Sequence, residues 1–481
     1  MTLTRREFAK SGLAALGFMA LDGLPVFAAP PGWKPNRKPD LVFGVLTDTH
    51  LMTAWDAKSV YRTMSLDYIK NAYAYFKKRN VDAVLNLGDA AHRAQVRALE
   101  FHREEFDKVF GTNNPPVLLV VDGNHEWQGD WDYLKNMYKD PTDFKENVLT
   151  EDFPRLFEKG WRVKYERMWH KEVNGFHFFG RGWHVDNGEF GKFIKSEAER
   201  CELKGEKPFF ILSHKMTYFA CNSHLREYPN AIGFCGHWHT SLANWGNIYF
   251  ERNYKLFPYI NCGACRYDGE NGLDQKWLKE KPASQRDSVD NHFEYPSRQG
   301  LVVSVYNSLG IVMERLEFGN GGKLGPDWVF PVGKFETRPY SRETLTQKIG
   351  TPEFSKGAKL NVTKCCQRGN NTNVKLESGI SNGKTGNNIV VKIPMADGNR
   401  KSRVFAYDVV VVADDDPKKR FFKSVYFSGV NAGIGHEPDH GVTTVDIPIA
   451  ELPVGKKLTV AVRPISSLGT KGKAIATTLR V

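Results

Sequence analysis

Seven side chains able to hold divalent metal ions stand in five short blocks in the first half of a 481-residue chain: Asp48-Thr49-His50, Gly88-Asp89, Gly123-Asn124-His125-Glu126, Ser213-His214 and Gly236-His237-Trp238-His239. Two divalent ions held roughly 3.5 to 4 Å apart need a shared anionic oxygen, further carboxylates and imidazoles, and positions open to water and substrate. Asp48, His50, Asp89, Asn124, His214, His237 and His239 supply that inventory. The set contains no thiolate, so it suits Mn, Fe, Ni or Zn in a working site rather than a closed structural zinc. Glycines beside Asp89, Asn124 and His237 permit sharp turns and close backbone approach. Singly, each block is weak evidence, because Gly-Asp ends many strands and Gly-Asn-His can be a plain turn.

Their context carries the weight. Leu41 to Leu46, Val81 to Leu87, Val117 to Val121, Phe209 to Leu212 and Ala231 to Cys235 are apolar runs that read as buried strands, and each ends in one of the blocks. Between them Tyr61, Met64, Tyr68, Ala72 and Tyr75, then Leu99, Phe106 and Val109, recur at helical spacing and predict helices packed on a sheet. Alternating strands and helices give an α/β core, and open α/β sheets collect ligands beyond the carboxyl ends of their strands. The five blocks are thereby expected to meet.

In the order DxH, GD, GNHE, H, GHxH, these blocks resemble the calcineurin-like metallophosphoesterase family. The resemblance covers Pro39 to Thr240, extends toward Gly333 and says little about the C-terminal third. It implies a four-layer α/β/β/α core and hydrolysis of phosphate esters at two divalent or mixed-valence ions, Mn, Fe or Zn. Asp48, His50 and His239 would hold one ion, Asn124, His214 and His237 the other, and Asp89 both. A metal-bound water would lose its proton near neutral pH and attack phosphorus in line with the leaving group. Beside Asn124, His125 would stabilise the developing charge or protonate the leaving oxygen. Glu126 would orient that imidazole, or merely supply charge at a helix N-terminus. In the purple acid phosphatase branch a tyrosine stands three residues after the bridging aspartate; in this chain His92 takes that place, which disfavours a tyrosinate-iron centre. His92 would touch metal, touch substrate phosphate or cap its loop.

Other candidates are weaker. His184, after the apolar run Phe176 to Phe179, is a candidate to line a substrate pocket. Arg93, Arg181 and Arg226 are candidates for pairing with phosphate, with surface placement as the rival. Trp127 and Trp238 would wall the pocket or pack in the core. His102, His170, His177, His224, His292, His436 and His440 fall outside the blocks and are assigned to structural or solvent-facing positions. Of the seven cysteines, at least one stays unpaired. Cys262-Gly-Ala-Cys265 has the spacing of a redox pair, but with no second such pair a zinc ribbon is not expected.

The remaining sequence sets boundaries. Residues 1–29 join a basic start with paired Arg5 and Arg6, an apolar middle and small residues, the parts of an export signal of twin-arginine type. A periplasmic or extracellular location follows as an expectation, with no stable membrane span. The catalytic domain is placed at 30–335 and a linker at 336–352. Alternating runs at Ile389 to Ile393, Arg403 to Val412, Thr443 to Ile449 and Lys457 to Val462 predict a β-sandwich of fibronectin III or Ig-like kind over 353–481. Within 30–335, Leu301 to Tyr306 and Ile311 to Phe318 flank the hairpin signal Asn307 to Gly310. The net charge of +12 favours anionic partners in general. A small phosphate ester is the expected substrate, with a slight lean to diesters; phosphomonoesterase, nucleotidase and nuclease activities stand as alternatives, so nucleic acid stays open as a partner without being indicated. A rival reading makes the core a metal-dependent scaffold, with the β domain binding glycan, protein or cell wall.

Overall fold

The computed structural model describes residues 37–51, 60–129, 131–205, 207–217, 219–244, 247–249, 257–265, 298–307, 310–319, 322–330, 350–365, 388–396, 403–414, 416–427, 443–453, 457–467 and 469–480. The expected export signal, most of the linker, and His292, His436, His440 and Cys366 lie outside them. In chain order the first elements are β1 (Leu41–Leu46), α1 (Val60–Lys78), β2 (Ala83–Asn86), α2 (Val96–Phe110), β3 (Val117–Val120), α3 (Trp131–Met137), α4 (Pro141–Asn147) and α5 (Phe153–Trp161). There follow β4 (Met168–Val173), β5 (Phe176–Arg181), α6 (Asn187–Arg200), β6 (Phe209–Leu212), α7 (Phe219–Asn222), β7 (Ala231–Cys235), β8 (Ile248–Tyr249) and β9 (Tyr259–Asn261). Then come β10 (Gln299–Tyr306), β11 (Gly310–Glu317) and β12 (Trp328–Phe330).

Two six-stranded sheets position the site. The first has the order β12-β11-β10-β1-β2-β3, in which β1, β2 and β3 run parallel and β10 meets β1 antiparallel. The hairpin signal at Asn307 to Gly310 therefore extends the same sheet that carries the first three blocks. The second sheet has the order β4-β5-β6-β7-β9-β8, parallel from β5 through β9. Its β4–β5 hairpin leaves no clear mark in the sequence, because β4 mixes Trp169 and Val173 with charged residues on a half-exposed edge.

Strand composition explains the packing. Runs buried on both faces, such as Leu41–Leu46, need apolar cover on each side. On one face of the first sheet Ile69, Ala72, Tyr73 and Phe76 of α1 join Leu99 and Phe106 of α2 and Leu156 of α5. On the other face Phe43 meets Phe178, Phe210 and Phe234 of the second sheet edge-on, at centroid distances of 5.5, 5.1 and 5.7 Å. Phe190 and Ile194 of α6 cover the far face of the second sheet.

C-terminal to these lie β13 (Asn361–Cys365), β14 (Asn388–Ile393), β15 (Val404–Ala413), β16 (Asp416–Tyr426), β17 (Thr443–Pro448), β18 (Lys457–Ser466) and β19 (Ile475–Arg480). They form two all-antiparallel sheets, β13-β14-β17 and β16-β15-β18-β19. Alternating Ile389, Val391 and Ile393 share one apolar cluster with Tyr407, Val409 and Val411. Among the described residues no helix is long and apolar enough to cross a membrane.

Phe43 is fully buried at the junction of the two large sheets. Phe43→Ala is expected to lower the unfolding free energy by about 3–5 kcal/mol, read from urea titration of the purified protein. A loss below about 1 kcal/mol would contradict the role of this aromatic cluster.

Candidate metal centre

The parallel strands of both sheets end at one place. Asp48 and His50 follow β1, Asp89 follows β2, Asn124 follows β3, His214 follows β6, and His237 and His239 follow β7. All seven side chains converge there, with Asp48, His50, Asp89, Asn124, His214 and His239 buried and His237 half-buried. Chain direction must reverse abruptly at these strand ends. Asp48 (φ 52°), His50 (41°), Asp89 (51°), His237 (73°) and His239 (50°) all adopt the left-handed backbone region. Such residues are uncommon there and cost roughly 1–3 kcal/mol each, so the surroundings must hold them.

The side chains fall into two groups that share Asp89. In one, the Nε2 atoms of His50 and His239 lie 3.1 Å apart, and that of His239 lies 2.9 Å from Asp48 Oδ1. His50 Nε2 stands between the carboxylates, 3.8 Å from Asp48 Oδ1 and 3.7 Å from Asp89 Oδ2. In the other, His214 Nε2 is 3.1 Å from Asp89 Oδ2, 3.2 Å from Asn124 Oδ1 and 3.3 Å from His237 Nδ1. His214 Nδ1 donates to the Leu87 carbonyl at 2.8 Å, which turns the other ring nitrogen inward. Asn124 Nδ2 donates to Gln128 Oε1 at 3.1 Å, which turns the amide oxygen inward. Gln128 is not among the residues expected from sequence, since a glutamine one helical turn past a ligand carries no motif.

These atoms fit divalent cations. Asp48 Oδ1 is fully buried and has no hydrogen-bond partner, whereas Oδ2 accepts from Thr47 Oγ1 (2.7 Å) and the His237 N–H (2.9 Å). Carboxylate, amide oxygen and imidazole lone pairs facing one another repel unless a positive charge lies between them. The electrostatics record that demand. Burial alone would raise Asp48, but the charges of His239 and His214 and the Thr47 hydroxyl bring it down to about 2. Burial likewise opposes protonation of His214, yet Asp89 and Asp48 lift it to about 10. Its neighbour His237 is pushed down to about 4 by burial and by His214 itself.

Glu126 has a different task from either role expected of it. Its carboxylate accepts the N–H groups of Asp89 (2.9 Å), Ala91 (2.8 Å) and Gly123 (2.7 Å), lacing the loop after β2 to the loop after β3. Burial and the charge of Asp89 raise it to about 8, the cost of keeping two carboxylates side by side out of water. The His125 ring is oriented instead by the His92 carbonyl, which accepts from Nδ1 at 2.7 Å. His92 stacks on His125 at 5.3 Å, and the His125 backbone N–H donates to Asp89 Oδ1 at 2.8 Å.

Two glycines are required by close approach. A Cβ on Gly123 would enter the Asp89 carboxylate, and one on Gly236 would enter the Thr47 hydroxyl and the Asp48 carboxylate. Thr49, between Asp48 and His50, is anchored from below: its hydroxyl bonds the Ala90 carbonyl (3.2 Å) and His102 Nε2 (2.7 Å), and His102 Nδ1 meets the Tyr73 hydroxyl (3.2 Å). His102, assigned to a structural position, thus links both connecting helices to the first block.

Around the rim, Trp183 rather than His184 faces the imidazoles, with its ring centroid 5.8 Å from that of His214 and 5.5 Å from that of His237. His184 is exposed and lies edge-on to Trp127, whose ring stacks on Phe153 at 3.8 Å. Buried Asp122 accepts from the Trp127 indole (2.6 Å) and the Trp183 N–H (3.0 Å). The Arg181 guanidinium donates to the Val185 and Lys215 carbonyls, and Arg226 is exposed. Cys262 and Cys265 are fully buried free thiols, and burial pushes both far up, which disfavours thiolate chemistry at this pair.

Residues 41–241 match the family model of the calcineurin-like phosphoesterases. The chain carries a calcineurin-like phosphoesterase domain. That phosphoesterase domain is a metallophosphoesterase, a hydrolase. Similar solved structures include a dimetal phosphatase from Danio rerio, 13% identical over 61% of this chain and 99% of that one, with a TM-score of 0.35. A purple acid phosphatase from yellow lupin is 11% identical over 62% of this chain and 55% of that one (TM-score 0.38). The anchor protein GAP50 of the Plasmodium inner membrane complex is 12% identical over 62% and 90% (TM-score 0.34). No curated protein matches the chain.

Glu126→Gln leaves one acceptor oxygen where three N–H groups converge. The variant is expected to fold, by circular dichroism, but to lose metal more than tenfold faster to a chelator than the parent; equal loss rates would contradict the lacing role. His102 offers a second test. Burial drives its imidazole from 6.5 down to about 3, so the unfolded chain binds a proton that the folded chain refuses. Its contribution to stability is full above pH 6.5 and is lost as pH falls toward 3. In chelator-treated protein, His102→Gln is expected to flatten the rise of stability with pH in that window by up to one proton, measured by denaturant titration. An unchanged slope would sink this assignment.

Proposed function

We propose that the domain hydrolyses phosphate esters with two divalent ions, one held by Asp48, His50 and His239, the other by Asn124, His214 and His237, with Asp89 serving both. The observation that carries this reading is the position of Asp89 Oδ2, within 3.1 Å of His214 and 3.7 Å of His50. When bound, such ions supply Lewis acidity toward phosphoryl oxygens and acidify bound water. The chain's own residues do the rest. His125, whose Nδ1 donates to the His92 carbonyl, turns Nε2 the other way, and in the doubly protonated ring that nitrogen donates toward an ester oxygen. Its proximity to the shared carboxylate, through the bond from its N–H to Asp89 Oδ1, keeps it in register with the ions. Trp183 walls the second group, its ring 5.5 Å from that of His237.

Diesters are the favoured substrates within this class, on analogy with exported proteins that carry a single GNH[DE] block. Export by the twin-arginine route to the periplasm or beyond, four-layer α/β/β/α packing, and a β-sandwich over 353–481 that binds glycan, protein or cell wall complete the proposal. The apolar cluster between the two large sheets, with helices on their outer faces, supports the layering.

Release of nitrophenol from bis-p-nitrophenyl phosphate and p-nitrophenyl phosphate, after chelation and return of Mn or Zn, tests the assignment. Faster turnover of the diester supports the preference, and no turnover of either compound with metal bound favours a scaffold. Asp89→Asn is expected to cut both metal content and rate. His125→Ala is expected to retain metal while turnover falls about 10²–10⁴-fold. Full metal content in the first variant, or large metal loss in the second, would contradict the roles assigned to Asp89 and His125.

A further inference from the structure

A second cluster of metal-competent side chains lies on the other side of the second sheet's edge, away from the seven residues above. His170 on β4, His177 on β5 and Cys201, which caps the C-terminus of α6, bring two ring nitrogens and a thiol within 4.8 Å of one another. His170 Nε2 is 2.8 Å from His177 Nδ1. The far nitrogen of His170, Nδ1, is 3.0 Å from Glu197 Oε2, the carboxylate-to-imidazole contact that usually orients a metal-binding histidine. Phe179 stacks flat on the His170 ring at 4.6 Å and fixes its plane. All three donor residues are half-buried, near enough to the surface for an ion to enter.

We propose that His170, His177 and Cys201 form a separate site for one zinc-class ion, with the fourth position left to water. Two nitrogens and one sulfur match the borderline-soft preference of zinc, and the donor set differs in kind from the thiol-free phosphoesterase centre. A tetrahedral ion with bonds of about 2.0–2.1 Å spaces its nitrogen ligands by roughly 3.3 Å, so the rings open by about half an ångström. On binding, the Cys201 thiol gives its proton to solvent. The Arg200 guanidinium, which is exposed and bonded to Glu197 at 2.6 Å, and Lys207 are cations near the cluster, and Arg200 is able to swing outward. The ion would pin the end of α6 to the edge hairpin β4–β5.

Cobalt substitution of the full chain separates the two sites, because only a cysteine ligand produces thiolate-to-cobalt charge transfer. The parent protein is expected to show that band and to bind about one more ion than Cys201→Ser or His177→Ala, each of which loses the band while ester hydrolysis stays within twofold. Circular dichroism confirms that both variants fold. Absence of the band in the parent, its persistence in Cys201→Ser, or equal metal content in parent and both variants would overturn the proposal. So would a loss of ester hydrolysis that follows the loss of the ion, since the two sites would then not be separate.

Discussion

Two carboxylates, Asp48 and Asp89, are kept out of water with His50 lying between them, and among the described residues their partners are imidazoles, a hydroxyl and backbone N–H groups. Burying an ion without a partner is costly, so each oxygen must be held by donors or by a cation. Donors account for part of the arrangement: Thr47 and the His237 N–H take Asp48 Oδ2, and the His125 N–H takes Asp89 Oδ1. The oxygens left over, Asp48 Oδ1 and Asp89 Oδ2, face the imidazoles. Carboxylate oxygens and imidazole nitrogens gathered on one point are the donor set that divalent metal requires.

Precision comes from the layers beneath. Five residues of the centre sit in left-handed backbone, and the buried network around them holds that conformation in place. Glu126 gathers three N–H groups from two loops, and His102 carries the packing of Tyr73 up to Thr49. A stretched or shifted loop would move a ligand by more than a coordination bond tolerates, so the buried polar network matters as much as the ligands themselves.

The same logic separates the cysteines. Cys262 and Cys265 lie in the apolar interior, where burial keeps them protonated and inert. Cys201 stands half-exposed at a helix end beside two imidazoles, where a thiolate can be exchanged for a metal bond. Spacing in sequence suggests the first pair as the chemical one; surroundings in space point to the other.

Residue type and order alone determined the strands Leu41–Leu46, Phe209–Leu212 and Ala231–Cys235, because a run buried on both faces has only one apolar pattern. They also determined which seven side chains meet, since parallel strands deliver whatever follows them to one end of the sheet. Tertiary structure decided the rest. The mixed pattern of Met168–Val173 hid an edge strand. That Glu126 would bond backbone of another loop, that Trp183 and not His184 would face the imidazoles, and that Gln128 would turn Asn124 were all illegible. Each depends on a contact between segments whose separation in sequence carries no period, and only the packed sheets fix which of two neighbouring side chains points inward.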